Sequence, residues 1–366
     1  CWVLLCGGCM GALVALSGVV VSAVVAGILQ SQGHEVIGVT MTLWEGHNGE
    51  RPATGRCTAA YSADARKVAA KLDIPYYVLD YTSSFSENVI VNFIDMYSKG
   101  LTPNPCVECN RSVKFDHFID QAKKLNCEKV ATGHYAKIID NNGSKELHKA
   151  DYKEKDQSYV LHMLTSEKLE LIEFPLGTIS KPEVRQIAAS LDLKTAFKKD
   201  SQDICFVGKN DYRNFVSSRM NFSSTGTIVD KNEDELGTHN GIHEFTVGQR
   251  KGIPGGQGEP KYVTKIDVEN NKVYIGTKKD LTTKKFLIED VSFVDEVITD
   301  EISIQTRYNS SDIPCKINKV DESVYEVDLV QATLGVAPGQ FGVLYQNTKL
   351  VGGGRISTKI LEDVNE

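Results

Sequence analysis

The first charged side chain in this 366-residue chain is Glu35. Before it runs "VALSGVVVSAVVAGILQ", Val14 to Gln30, which fits three structures: a membrane span, a secretory signal, or a buried strand, turn and helix. About 20 apolar residues suffice to cross a bilayer. A signal peptide needs a cationic region ahead of its apolar core, and no Lys or Arg precedes this one. Ser17, Gly18 and Gly27 also interrupt the run. The following residues favour the third reading. Gly33 stands where a helix would stop, and a β-branched stretch follows from Val36 to Thr42. The pattern predicts a strand at 13–16, a turn at 17–21, a helix at 22–32 and a strand at 35–42. Parallel strands covered on both faces read as continuously apolar, so the expectation is a βαβ unit with no membrane association.

The alternation continues. "YSADARKVAAKLDIPYYVLDYT" predicts a helix capped by Ser62 and a strand at 75–80. "NRSVKFDHFIDQAKKLNCEKVATGHY" predicts a helix at about 111–125, then a strand at 128–132. Together these give an α/β fold, a doubly wound parallel sheet, with ligands beyond the carboxyl ends of its strands. Ser17, Met41 and Gly133 would lie there. Residues 161–219 read as mainly helical, one helix starting at a Ser180 N-cap with Pro182 in its first turn. From Gly226 short strands alternate with Gly, Asn and Pro turns, giving two small all-β modules. The expected domains are 1–210, 211–280 and 281–366.

A net charge of −7 does not imply a broad basic face for nucleic acid, and leaves room for a local patch. The odd count of nine cysteines and their irregular spacing argue against a disulfide framework and suit a reducing compartment.

Several short motifs carry chemistry. Ser17-Gly18-Val19-Val20-Val21-Ser22 joins a strand to a helix, where backbone N–H groups and the helix dipole favour an anion. A plain buried connection fits the same six residues. "LTPNPCVECNR", Leu101 to Arg111, is stiffened by two prolines. If Asn110 caps the following helix, Cys109 lies beside a helix N-terminus, which activates a thiol. Cys106 and Cys109 make a CxxC pair that could bind zinc, cycle as a disulfide, or simply be buried. Cys205 in "KKDSQDICFVG" is a lone thiol. Gly133 and His134 in "ATGHYAK" suit close approach to a ligand. Lys155, Asp156, Gln157 and Ser158 can contact phosphate and a base edge. "VGQRKGI" places Gln249, Arg250 and Lys251 on a turn suited to an RNA backbone.

The order and spacing of "SQGHEVIGVTMTLW", "TPNPCVECNRSVKF", "ATGHYAK", "KDQSYVL", "FPLGTISKPEVRQIA", "DSQDICFVG", "HEFTVGQRKG" and "APGQFGVLYQ" resemble the tRNA-specific 2-thiouridylases, the MnmA/TrmU family. The resemblance spans nearly the whole chain. It implies a sheet of the ATP-pyrophosphatase (adenine nucleotide alpha hydrolase-like) type. It also implies an activity: ATP adenylates the C2 oxygen of wobble uridine 34 in tRNA, and a cysteine persulfide then supplies sulfur. By resemblance, Cys205 bears the persulfide and Cys109 is its nucleophilic partner, the two closing a disulfide during catalysis. Ala15, Leu16, Ser17, Gly18, Ser22, Met41 and Gly133 match ATP contacts. Lys155 to Ser158, Gln249 to Lys251, Arg307, Tyr308 and the helical stretch 161–210 match tRNA-facing segments. The resemblance further implies Mg²⁺ with ATP, no tightly bound metal, and a persulfide-donating sulfurtransferase or cysteine desulfurase as partner. It implies a cytoplasmic monomer, or a mitochondrial one in a eukaryotic host. Local tRNA contact would fall on Lys194, Lys198, Lys199, Lys209, Arg213 and the "GQRKG" turn.

The family's pyrophosphate loop reads Ser-Gly-Gly-Val-Asp-Ser. Here Val19 replaces a glycine and Val21 an acidic residue. A β-branched residue resists positive φ, and the missing carboxylate would help organise phosphates and Mg²⁺. Cys106 stands where some members carry Asp, and "CWVLLCGGCMGAL" matches the family poorly. These departures raise an alternative: a tRNA-binding pseudoenzyme that has lost ATP activation. A different ATP-pyrophosphatase, such as an amidating synthetase, could share the first 140 residues. It would not account for Cys205 or the β modules.

Overall fold

A computed structural model describes residues 11–44, 59–193, 204–207, 212–220, 225–254, 259–294 and 301–359. The chain divides into two compact units, Cys1–Val89 with Cys106–Lys209, and Ile90–Pro105 with Asn210–Glu366. The second unit thus takes in a segment that sequence alone assigns to the first domain.

The first unit begins β1 (Gly11–Ala15), α1 (Val20–Ser31), β2 (Glu35–Thr42), α2 (Ala59–Lys71), β3 (Tyr76–Asp80) and α3 (Thr82–Phe85). A π-helical turn, Ser86–Ile90, leads into α4 (Val91–Ser98), which belongs to the second unit. The chain returns through α5 (Pro105–Glu108), a π-helical segment (Cys109–Phe115) and α6 (Asp116–Lys124). Then come β4 (Lys129–Ala131), a hairpin of β5 (Ala136–Asn141) and β6 (Ser144–Lys149), α7 (Ser166–Leu169), β7 (Ile172–Glu173) and α8 (Lys181–Ser190).

The sheet runs β3-β2-β1-β4-β7, with every pairing parallel. Ala12, Leu13 and Val14 of the central strand are fully buried, as are Val24, Val25, Ala26 and Leu29 of α1. α1 lies against the sheet and against α8, so both sides of the helix find apolar partners. That two-sided burial explains the lack of charge in β1 and α1. Among the described residues no helix is long and apolar enough to cross a membrane.

Some local expectations change. α1 begins at Val20, two residues early. Ser62 lies inside α2 rather than capping it. The helical run bearing "CVECNR" begins at Pro105, so Asn110 is an interior residue and not a cap. The Ser180 cap forms as a full capping box. Ser180 Oγ accepts from the Glu183 N–H at 3.4 Å, and the Glu183 carboxylate accepts from the Ser180 N–H at 2.8 Å.

The second unit contains α9 (Tyr212–Ser217) and a four-stranded sheet of β8 (Gly226–Val229), β9 (Glu235–His239), β10 (Tyr262–Asp267) and β11 (Lys272–Gly276). Its order is β10-β11-β8-β9, over a core of Ile228, Ile242, Phe245, Val263, Val273 and Ile275. A six-stranded barrel follows: β12 (Thr282–Phe293), β13 (Ile302–Gln305), β14 (Ile313–Asp321), β15 (Val324–Leu334), β16 (Phe341–Gln346) and β17 (Lys349–Ile356). Antiparallel pairings run β12-β15-β14-β13-β16-β17 and close from β17 back to β12. Closure removes the unpaired edges an open sheet would expose.

Candidate active site

Residues 16–19 connect β1 to α1, whose first turn holds Val20, Val21 and Ser22. Gly18 carries the left-handed backbone, φ +68°. Val19 is the helix N-cap in ordinary extended conformation, φ −110° and ψ 162°. A valine adopts that conformation without strain. The positive φ expected at position 19 is therefore not required there, and the backbone half of the objection to Val19 is overturned.

One hydroxyl closes the loop. Ser22 Oγ accepts from the Ser17 N–H at 3.0 Å, donates to Val19 O at 3.2 Å, and lies 3.1 Å from Ser17 Oγ. A hydroxyl has a single proton, so with that proton on Val19 O it is Ser17 that donates between the two serines. The first i→i−4 bond of α1 is Ala23 N–H to Val19 O, leaving the N–H groups of Val20, Val21 and Ser22 ahead of it. α1 has no side-chain N-cap bond and no acidic residue in its first turn. An anion therefore meets amide donors with no competing carboxylate in that turn. The loop's entry is held from β2: Thr40 Oγ1 donates to Leu16 O at 2.6 Å, and Tyr76 OH donates to Thr40 at 2.8 Å.

Met41 lies at the end of β2 and Gly133 just beyond β4, on either side of β1. A Cβ on Gly133 would come within 2.7 Å of Val21 Cγ1. Val21 thus packs on the glycine turn and presents a methyl group where the family motif carries a carboxylate.

His134 links this loop region to the cysteine helix. Its Nδ1 lies 2.7 Å from Thr132 Oγ1. Its ring sits 5.9 Å from Phe115 and 5.9 Å from Phe174. Phe115 ends the π-helical segment that begins at Cys109. Cys109 is 5% exposed, Cys106 is exposed and Cys205 is half-buried; all three are thiols, not disulfides. α3 packs against the Cys109–Phe115 segment. Phe85, in the same helix, meets Phe206 edge-on at 5.5 Å. One short helix thus supports the segments carrying Cys109 and Cys205.

Asp156, Gln157 and Ser158 serve the chain itself. The Asp156 carboxylate accepts from the Ala150 N–H at 2.8 Å and from Ser158 Oγ at 2.7 Å. Burial pushes its pKa up, against the pull of those donors. Gln157 Oε1 accepts from the Tyr135 N–H at 3.1 Å, and Ser158 is fully buried. Lys155, at the end of a short 3₁₀ turn, is only partly buried.

In the second unit, Gln249 braces its turn, accepting from the Thr246 N–H at 3.2 Å and donating to Lys251 O at 3.0 Å, while Arg250 and Lys251 are exposed. The Arg213 guanidinium lies about 4.0 Å from where a Gly252 Cβ would be. A Gly248 Cβ would lie 3.9 Å from Gly335, whose own Cβ would lie 3.4 Å from Arg307 Nη1. Arg213, the Gln249–Lys251 turn and Arg307 therefore share one neighbourhood. Tyr308, 41% exposed, follows Arg307. Lys194, Lys198, Lys199 and Lys209 fall outside the described residues.

Thr40, Thr132 and Phe115 brace the site; each lies inside a quoted family block, but the sequence reading gave none of them a role.

The parallel sheet, the amide-lined loop after its central strand and the two appended β modules define a HUP-type α/β protein of the ATP-pyrophosphatase kind. Family models agree: a tRNA methyl transferase HUP domain over residues 10–209, a tRNA methyl transferase PRC-barrel domain over 213–277 and an aminomethyltransferase β-barrel domain over 283–356. The tRNA-specific 2-thiouridylase MnmA of Rickettsia bellii is 42% identical over 354 residues, covering 95% of this chain and 96% of that protein. Those of Rickettsia peacockii and Rickettsia conorii are 42% and 41% identical over 353 residues, each covering 95% of this chain and respectively 97% and 95% of the relative. This chain belongs to the tRNA-specific 2-thiouridylase (MnmA) family. Among solved structures, NMN synthetase from Francisella tularensis is 15% identical with a TM-score of 0.33, covering 53% of this chain and 67% of that one. That likeness is too loose to carry an inference.

Proposed function

We propose that this chain is a tRNA-uridine 2-sulfurtransferase. It uses ATP to adenylate the C2 oxygen of wobble uridine 34, then replaces that oxygen with sulfur, giving 2-thiouridine, AMP and pyrophosphate. One observation carries the reading: α3 supports the segments of both Cys109 and Cys205, while Phe115 and His134 tie the Cys109 helix to the anion-receptive loop. Two thiols on segments braced by one helix, one of them linked through Phe115 and His134 to the loop region, suit sulfur chemistry better than the methyl transfer in the family models' names.

Uridine C2 is a poor electrophile until its oxygen becomes a phosphate ester. The C2 oxygen attacks the α-phosphorus of ATP and pyrophosphate leaves. The residues assigned to this step are Ala15 to Gly18, Ser22, Met41 and Gly133, with amides at the start of α1 meeting phosphate. With Val21 in place of a carboxylate, Ser17 Oγ would offer the loop's oxygen ligand to Mg²⁺ carried by ATP, while Ser22 Oγ, engaged with Val19 O and with Ser17, would hold the loop in shape. The outer sulfur of a Cys205 persulfide then attacks C2. The Cys109 thiolate attacks Cys205 Sγ and forms a disulfide, the persulfide bonding pair stays with the departing sulfur, and AMP leaves with the former C2 oxygen. The wobble base must leave its stack to reach these groups.

Lys155 faces the tRNA from a loop that Asp156, Gln157 and Ser158 hold in shape. Arg213, Gln249, Arg250, Lys251, Arg307 and Tyr308 meet its backbone, with Lys194, Lys198, Lys199 and Lys209 assigned to the same partner. Sulfur comes from a persulfide-donating sulfurtransferase or cysteine desulfurase, and the enzyme acts as a cytoplasmic or mitochondrial monomer. Incubating the purified chain with wobble-uridine tRNA, ATP, Mg²⁺ and a sulfide donor tests the reading. Equal yields of AMP and 2-thiouridine are expected. AMP formed without thiolation, or tRNA bound with neither product, contradicts it.

A further inference from the structure

We propose that Cys106 is a resolving thiol, which takes over the disulfide left on Cys109 after each sulfur transfer. The inference rests on the sulfurtransferase reading above. That reading ends each cycle with Cys109 and Cys205 bridged, and the enzyme must free both thiols before the next.

The three thiols differ in access. Cys109 is buried, Cys205 is half-buried and Cys106 is exposed. An external reductant reaches a bridge between a buried and a half-buried sulfur poorly, because exchange requires attack in line with the S–S bond. Cys106 and Cys109 stand three residues apart in a helical run that begins at Pro105. Helical i,i+3 spacing places side chains on one face, with Cβ atoms about 5–6 Å apart. A disulfide needs about 3.8 Å. The first-turn N–H of Cys106 has no i→i−4 helical bond to give up as the two Cβ atoms close that gap.

The step is an internal exchange. The Cys106 thiolate attacks Cys109 Sγ, a Cys106–Cys109 bond forms, and the Cys109–Cys205 bond breaks. The electron pair leaves on Cys205, which takes up the proton that Cys106 released. No net oxidation occurs. The disulfide moves to the exposed end of the pair, where a cellular dithiol of the thioredoxin class reduces it. Cys205, already a thiol, is ready to receive its next persulfide.

Trypsin separates the partners, leaving Cys106 and Cys109 together in peptide 100–111 and Cys205 in peptide 200–209. Persulfide-loaded protein is allowed one turnover on tRNA, acid-quenched, alkylated and mapped by mass spectrometry. Wild type should show 100–111 bridged within itself and Cys205 alkylated. Cys106→Ser, a surface change, should show 100–111 linked to 200–209. Its first turnover should be unchanged, and its steady-state turnover with a thioredoxin-type reductant should fall about tenfold, a scale set by thiol access. A wild-type map that keeps the link to 200–209, or a variant that cycles at the wild-type rate, overturns the proposal. Oxidation by diamide without tRNA tests the exchange alone. An internal bridge in 100–111 supports it even if no tRNA is thiolated, in which case only the sulfurtransferase reading falls. A link to 200–209 in diamide-treated wild type overturns the exchange even if thiolation proceeds.

Discussion

Val19 and Val21 touch different parts of the nucleotide loop and should behave differently when reverted. Val19 is extended and Gly18 takes the positive φ. Val19→Gly therefore places an acceptable N-cap residue at an unstrained position, and its stability should change by less than about 1 kcal/mol. Val21→Asp restores a carboxylate where Val21 now packs on Gly133. It should raise AMP formation at least about tenfold, which is about 1.4 kcal/mol of barrier, and lower the Mg²⁺ concentration needed. An equal gain from Val19→Gly would contradict this division. The packing of Val21 on Gly133 has its own test. Gly133→Ala sets a Cβ 2.7 Å from Val21 Cγ1 and should cost about 1–3 kcal/mol by overpacking. Adding Val21→Ala should recover at least about 1 kcal/mol of that cost in a denaturation cycle. Simple additivity would count against the packing. The sequence showed both substitutions but not where the left-handed residue falls, because φ at one position depends on how the whole turn closes.

Elements were legible where local signals were strong. The strand, turn and helix around Ser17 follow from Gly33, the β-branched run and the lack of charge, since burial on both faces needs only apolar side chains. The Ser180 cap forms as read, and Glu183 three residues later, which the sequence reading left out, completes it as a capping box. Ser180→Ala should lower stability by about 1 kcal/mol in urea unfolding. The "NPCVECN" helix was misread because its start is set by tertiary packing. Asn110 is drawn inside, where its Nδ2 donates to Val160 O at 2.8 Å, and a capping residue would instead face the helix end. Next to that carbonyl, His162 is buried, which depresses its pKa to about 4 from 6.5, while its Nδ1 lies 2.9 Å from Tyr159 O. The unfolded chain takes up a proton below pH 6.5 that the folded chain refuses until about 4. Stability from this group is thus full above 6.5 and lost as pH falls through that window, by about 3 kcal/mol. His162→Gln should flatten that part of the acid limb, and an unchanged limb would show that His162 is not buried as a neutral group.

At the scale of the whole molecule, charge decides how tRNA can be held. The net charge of −7 works against a polyanion, so binding must depend on a cluster such as Arg213, Arg250, Lys251 and Arg307 in the second unit. Affinity should fall steeply with salt. Replacing Arg250 and Lys251 with Ala should reduce the log–log salt slope by about 2, one for each phosphate no longer neutralised. Unchanged slopes would move the tRNA surface elsewhere. That these cations come together was not legible in the sequence, since Arg213 and Arg307 lie far apart along the chain and a pair of glycine turns brings them close. The family, by contrast, was legible, because its motifs are local and ordered. The most direct measurement is mass spectrometry of wobble uridine in tRNA from cells whose only copy of this activity is this chain. The 2-thiouridine nucleoside should be present, and absent when Cys205 is changed to Ser. Unmodified uridine in cells making the folded wild-type protein would contradict the sulfurtransferase reading.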